Sequence, residues 1–315
     1  MAKLFSLFPG QGAQQVGMGR ELCQAFARAR ETYEEAADAT GIDFGRLSFE
    51  GPETELRKTQ NAQPAILILS VACLRLLREA GIDATGAAGH SLGEYSAHVA
   101  AGSLSFTDAV RIVRRRGELM YEAGLRRPGG MAAVLGLSAA EIGPVLAQAA
   151  AAGIVVAANL NAPNQIVISG EKEAVDRACD LARSAGAKRT VRLEVSGAFH
   201  SPLMASAQEG LEAALDAIPI ADARIPVVAN ATAAPVTRAA DIRRTLKDQL
   251  TQPVRWEESM RWVAANGVVD AVELGPGAVL KGLMRSIAPE IRVNAVGDPA
   301  GLEAAVSALL GVGRA

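Results

Sequence analysis

Gly86-Ala87-Ala88-Gly89-His90-Ser91-Leu92-Gly93-Glu94 is the stretch that decides the fold. Residues 86–90 carry almost no side-chain bulk at first and read as a short strand packed tightly between neighbours, while 92–101 read as a helix. Ser91 therefore stands where a strand turns sharply into a helix. Gly89 and Gly93 frame it as G-x-S-x-G, the nucleophile elbow, in which small residues on both sides permit a turn that lifts the serine hydroxyl out of the sheet. A glycine-rich turn with an incidental serine satisfies the same five-residue pattern, so the strand before it and the helix after it are what favour the elbow. In that setting Ser91 Oγ and the Leu92 N–H face the positive end of a helix.

Outward from this turn, strand-like and helix-like segments alternate, which predicts an α/β fold with a mainly parallel sheet. Upstream, a strand over 3–8 ends in Pro9-Gly10-Gln11-Gly12-Ala13-Gln14. A helix over 20–39 follows, stopped by Gly41, and then one over 62–80 with Pro64 in its first turn and Gly81 after its end. Downstream, Ser105 with Asp108 three residues later opens a helix over 106–123 in the manner of a capping box. Between 127 and 196 the order becomes β-α-β-β-α-β: strands over 131–136, 154–159, 165–169 and 188–195, with helices over 138–151 and 171–185. That order is ferredoxin-like. With Pro128-Gly129-Gly130 and Ser196-Gly197 as hinges, the expected organisation is a large α/β-hydrolase-like domain, 1–126 and 197–315, into which a small subdomain, 127–196, is inserted. Strands over 225–229, 268–273 and 291–296 complete the large sheet.

The 315 residues suit one large core and a smaller unit, and a chain 50% hydrophobic and 21% charged is not a disordered one. With 32 Lys and Arg against 34 Asp and Glu the net charge is −2, which offers no footprint for nucleic acid. The longest near-continuous apolar run, Ala65 to Leu74, is interrupted by Ser70 and falls short of the ~18 residues of a spanning helix, so no membrane is expected. Met1 to Phe8 meets Pro9-Gly10 before a signal-peptide core can form, which predicts a cytoplasmic protein. Cys23, Cys73 and Cys179 are scattered, odd in number and without a Cys/His cluster, so neither disulfides nor a metal site are expected.

A serine nucleophile needs a base, and the chain holds three histidines: His90, His98 and His200. His90 is next to Ser91 and points to the other side of the backbone, while His98 lies about 10 Å along the helix at ~1.5 Å per residue. By elimination the base is His200, in a loop where the small subdomain returns to the core, and the other two are packing or supporting residues. On the 106–123 helix, Arg116 falls inside an apolar stripe of Ala109, Ile112, Val113, Leu119, Met120 and Ala123 and so points inward. An inward guanidinium must find an anion. Two remain open at this point: a protein carboxylate, or a substrate carboxylate that fits the planar fork bidentately.

Gly10-Gln11-Gly12-Ala13-Gln14, the elbow through Glu94, Arg116-Gly117, Gly197-Ala198-Phe199-His200, Gln249-Leu250-Thr251-Gln252-Pro253-Val254-Arg255-Trp256 and Glu273-Leu274-Gly275-Pro276-Gly277 together resemble the malonyl-CoA:acyl carrier protein transacylases over about 4–284. The resemblance implies transfer of malonyl from malonyl-CoA to the phosphopantetheine thiol of an acyl carrier protein, by a ping-pong route through malonyl-serine. It implies a Ser91–His200 dyad, with the histidine oriented by the main-chain carbonyl of Gln249 and no acidic third member. It further implies an oxyanion hole of the Gln11 and Leu92 N–H groups, Arg116 on the malonyl carboxylate, no cofactor, and a monomer. Phe199 stands where some transacylases have serine, and Gly-Ala-Phe-His looks like the malonyl-selective form, in which the ring leaves no room for an α-methyl group. The runner-up is a serine thioesterase or hydrolase of the α/β-hydrolase class, with Asp108, Asp176 or Glu194 as its acid. A silent carrier-binding module is a third reading, disfavoured because no site position is missing. Arg126, Arg127, Lys188, Arg189 and Arg192 are candidate docking charges for an acidic carrier, or simply a solvated face.

Overall fold

Along β1 (Lys3–Phe8), Leu4 and Phe8 project into one buried cluster and Phe5 and Leu7 into another, so the strand is apolar on both faces and has to lie inside a covered sheet. The structure, a computed structural model, describes residues 3–311. Met1 and Ala2, part of the amino-terminal reading, and residues 312–315 lie outside the described residues. β1 pairs in parallel with β2 (Gly86–Gly89) on one side and with β9 (Val268–Leu274) on the other. β7 (Val227–Ala229) and β10 (Arg292–Val296) extend this parallel sheet, and β8 (Ala234–Val236) closes one edge antiparallel to β7, giving the order β10-β9-β1-β2-β7-β8. β8 has no counterpart in the sequence reading. Three residues with Pro235 in the middle carry no alternating pattern, and a proline is tolerated there only because the strand is an edge.

The second sheet consists of β3 (Gly130–Leu135), β4 (Val155–Ala162), β5 (Gln165–Gly170) and β6 (Arg189–Arg192), in the order β4-β5-β3-β6 with every pair antiparallel. This is the ferredoxin-like arrangement. Its two helices, Ala139–Ala149 and Lys172–Ser184, cover one face and close a core of its own around Val134, Ile142, Ile168 and Val175. β4 is stitched to the large unit by Leu160 N–H to the Val254 carbonyl at 2.9 Å and Val254 N–H to the Ala158 carbonyl at 2.8 Å.

Two helices differ from expectation. The 20–39 helix is broken into Arg20–Ala25 and Ala27–Thr40 by an extended Phe26 (φ −127°, ψ 127°), whose ring packs on the main core. Thr59–Glu79 starts before residue 62, which places Pro64 in the second turn. The Gln60 carbonyl, deprived of its helical donor by the proline, accepts instead from Arg114 Nη1 at 3.0 Å. By length and composition this helix could cross a membrane, with a mean hydropathy of 1.3 over 18 residues, but 83% of that window is buried inside the fold. It is the core helix against which Phe106–Arg126 packs. Cys23, Cys73 and Cys179 are buried free thiols, each pushed to a higher pKa chiefly by burial.

Candidate active site

Ser91 sits at φ 50°, the left-handed region that a side chain adopts only when its surroundings impose it. They do so here. A Cβ on Gly89 would fall 1.9 Å from the Gly93 carbonyl carbon, and one on Gly93 would fall 2.1 Å from the Phe8 carbonyl oxygen, so no larger residue fits either side of the turn. Asn230, just past β7, clamps the elbow: its Oδ1 accepts from Ser91 N–H at 2.7 Å and its Nδ2 donates to the Gly89 carbonyl at 2.7 Å. Leu92 then leads into the helix Gly93–Ala101.

His200 also has a positive φ, 55°, in a loop fixed by the Ser201 hydroxyl donating to the Ala198 carbonyl at 2.6 Å. Its Nδ1 donates to the Gln249 carbonyl at 2.8 Å, which leaves the Nε2 lone pair to accept from Ser91 Oγ, also at 2.8 Å. Burial first, and the nearby Arg116 charge second, push the imidazole pKa down to about 3, so the ring is neutral at any ordinary pH. The other two histidines do not reach Ser91 Oγ. His90 Nε2 meets Asn161 Oδ1 at 2.7 Å with its ring tilted on Trp256, and His98 Nδ1 meets Ser103 Oγ at 2.9 Å.

Among the described residues no carboxylate is hydrogen-bonded to His200. Asp108 caps its own helix with Ser105, Asp176 pairs with Arg192, and the exposed Glu194 pairs with Arg57 at 3.2 Å. Of the remaining surface charges singled out, Arg126 and Arg127 pair with Glu122 and Glu171, while Lys188 and Arg189 lie at and beside β6.

Arg116 is 1% exposed, and among the described residues no Asp or Glu oxygen lies within ion-pairing distance of it. Its partners are neutral oxygens: Nη1 donates to Gln63 Oε1 at 2.5 Å, and Nη2 to Gln249 Oε1 at 2.9 Å and to Ser91 Oγ at 3.1 Å. Nε has no partner, and the Tyr95 ring lies 5.6 Å below the guanidinium carbon. A cation without an ion-pair partner among the described residues thus reaches the serine hydroxyl. Gln11 joins the same network through its side chain, whose Oε1 accepts from Thr59 Oγ1 at 2.8 Å and from Gln63 Nε2 at 3.5 Å. Phe199 is buried in the main cluster beside His200.

Asn230 and Gln63 of this network escaped the sequence reading, and Glu94 entered it only as the last residue of the elbow motif, without a role. Asn230 had a positional signal, since it follows a parallel strand at the carboxyl end of the sheet, where sites form in open α/β folds. Gln63 and Glu94 had only the oddity of a polar residue in an otherwise apolar or small-residue helix.

A family model described as acyl transferase domain matches residues 5–295. A relative from Bacillus subtilis (strain 168) named malonyl CoA-acyl carrier protein transacylase is 47% identical over 310 residues, 98% of either chain. The solved structure of an acyl-carrier-protein S-malonyltransferase from Burkholderia pseudomallei 1710b superposes with a TM-score of 0.94 at 43% identity, covering 97% of this chain and 99% of that one. A malonyl-transacylase solved with a type II polyketide acyl-carrier protein superposes equally well, TM-score 0.94, at 41% identity over 98% of this chain and 100% of that one. The chain belongs to the acyl transferase domain family, among its malonyl CoA-acyl carrier protein transacylases.

Proposed function

We propose that this chain transfers a malonyl group from malonyl-CoA to the phosphopantetheine thiol of an acyl carrier protein. The observation that carries the reading is Arg116, a buried cation without an ion-pair partner among the described residues, donating to the oxygen of a serine that also holds a neutral imidazole. His200 Nε2 takes the Ser91 proton as Oγ attacks the thioester carbonyl; the C–S bond breaks, and the coenzyme A sulfur leaves with the proton from His200. The carrier thiol then gives its proton to the same nitrogen and attacks the malonyl ester, and Ser91 Oγ regains its hydrogen. The backbone N–H groups of Gln11 and Leu92 hold the oxyanion in both halves. Arg116 grips the malonyl carboxylate, His90 and Gln249 support the site, and Phe199 excludes an α-methyl group.

The same reading treats 127–196 as an inserted subdomain, which its separate core supports, and takes the protein to be a monomer. The buried, unpaired thiols fit a reducing cytoplasm. The deciding experiment mixes the protein with malonyl-CoA, with and without carrier protein. Malonyl-carrier as the main product supports transfer, whereas free malonate released with or without carrier points to the hydrolase.

A further inference from the structure

We propose that Glu94 is a positioning residue for acyl transfer, one that sets, through Gln249, how Arg116 is presented to the acyl donor. The inference deepens the malonyl-transfer reading and rests on it. Glu94 is wholly buried on the Gly93–Ala101 helix, among small and aromatic residues. A carboxyl group there is costly unless its oxygens are met. No Lys or Arg pairs with it among the described residues; instead Oε2 accepts from the Asn230 backbone N–H at 3.0 Å and from Gln249 Nε2 at 2.6 Å.

Those two partners between them hold each reactive residue, Ser91 through its backbone and His200 and Arg116 through their side chains. Asn230 Oδ1 holds Ser91 N–H, the Gln249 carbonyl holds His200 Nδ1, and Gln249 Oε1 accepts from Arg116 Nη2. A glutamine amide has two nearly isosteric orientations, and the neighbours decide between them. Nε2 donates to Glu94 at 2.6 Å and, at the longer 3.0 Å, to the Ser91 carbonyl, so with Glu94 as its shorter acceptor Nε2 faces away from the guanidinium and Oε1 faces it. Flipped, the amide would turn its N–H groups on Arg116, donor against donor. The far side of Glu94 points the same way. Its Oε1 has no partner and lies 4.0 Å from His98 Nε2, which also has none. The Ser103 hydroxyl donates to the His98 carbonyl and so accepts from His98 Nδ1, leaving Nε2 as a bare lone pair. The place therefore suits a group that accepts at one end and donates at the other, which a protonated carboxyl does. Burial pushes the Glu94 pKa up to about 7, in keeping with that. Glutamine offers the same two ends, and alanine offers neither.

The test measures acylation of the full chain by malonyl-CoA and by acetyl-CoA, by intact mass, alongside thermal midpoints. Glu94→Gln should keep the malonyl-over-acetyl preference within about threefold, and Glu94→Ala should lower it about tenfold or more through malonyl KM and kcat/KM. Because Glu94 acts through Gln249, adding Glu94→Ala to Gln249→Ala should change the preference no further. Equal losses with both donors in Glu94→Ala, or additive losses in the double variant, overturn the proposal. Should Glu94→Ala fail to fold, Glu94→Asp, which draws the carboxyl back by one methylene, decides instead: an unchanged preference overturns the proposal. A wild type that takes up no malonyl defeats the malonyl reading, while a malonyl-selective wild type whose Glu94 variants stay selective defeats only the role of Glu94.

Discussion

Replacing Arg116 by alanine should change which acyl donor the protein accepts, and not only how fast it works. The guanidinium is buried, bonded to three neutral oxygens, and without a carboxylate of its own. If a malonyl carboxylate completes it, two charge-assisted hydrogen bonds at about 1.5 kcal/mol each amount to roughly 3 kcal/mol, or on the order of 10²-fold in kcat/KM. Stranding the donor's own carboxylate in a dry site adds to that. Acetyl-CoA has no carboxylate to strand, so its rate should fall far less and the malonyl/acetyl preference should collapse or invert. Arg116→Lys keeps the charge, loses the fork and should recover part of the malonyl rate. Single-turnover acylation with each donor, read by mass and scaled to the fraction folded, gives the ratio directly. Equal slowing of both donors would show that Arg116 serves the architecture around Gln63 and Gln249, and the carboxylate-binding role would fall.

Malonyl-CoA without acceptor should add one malonyl mass to the intact chain and none to Ser91→Ala; an adduct fully retained in that variant would move the nucleophile elsewhere. His200→Ala should lose about 10²–10⁴-fold in acylation while His98→Ala stays near wild type per folded molecule, and comparable losses in both would contradict a single base. Because the His200 pKa lies at about 3, acylation by the free enzyme should show no acid limb between pH 7 and 5, and a limb centred near 6.5 would mean the ring is not desolvated as the structure has it. His98 is also held down to about 3 from 6.5, so below pH 6.5 the unfolded chain gains a proton the fold refuses and stability falls with pH. Between pH 6.5 and 4.5, wild type should lose roughly 2 kcal/mol in all more than His98→Gln in urea titrations, and parallel slopes would refute the buried neutral state.

What the sequence disclosed follows from which forces leave a local trace. The elbow was legible because only small residues can pass where Gly89 and Gly93 lie, and the inward Arg116 because helical periodicity reports facing. The ferredoxin-like order was legible from alternation along four short strands. The break at Phe26 was not, because a single extended residue inside a helical pattern is decided by where its ring packs, and β8 was too short to have a period. The orienting carbonyl of Gln249 came from the family resemblance alone, since a main-chain oxygen has no residue-type signature. Gln63, Asn230 and Glu94 make hydrogen bonds to residues 53 or more positions away, and neither composition nor spacing encodes such pairing.

The groups that orient the guanidinium and the imidazole share a chemical character that explains the site. Around Arg116 and His200 every orienting group is a neutral oxygen: Gln63 Oε1, Gln249 Oε1 and the Gln249 carbonyl. An ionised aspartate in the place of that carbonyl would orient the imidazole as well, but it would also offer the guanidinium an internal counter-ion and compete with the donor's carboxylate. Neutral amides orient without neutralising, so the cation keeps its full attraction for an anionic donor. Burial first, and that same charge second, hold the imidazole neutral before the donor arrives. Once a carboxylate sits on Arg116, that depressing field is offset and His200 becomes a stronger base with the thioester already in place. On the proposed mechanism, donor recognition and base strength would thus be coupled through one arginine, favouring acylation by a carboxylate-bearing donor over acylation by one that lacks it.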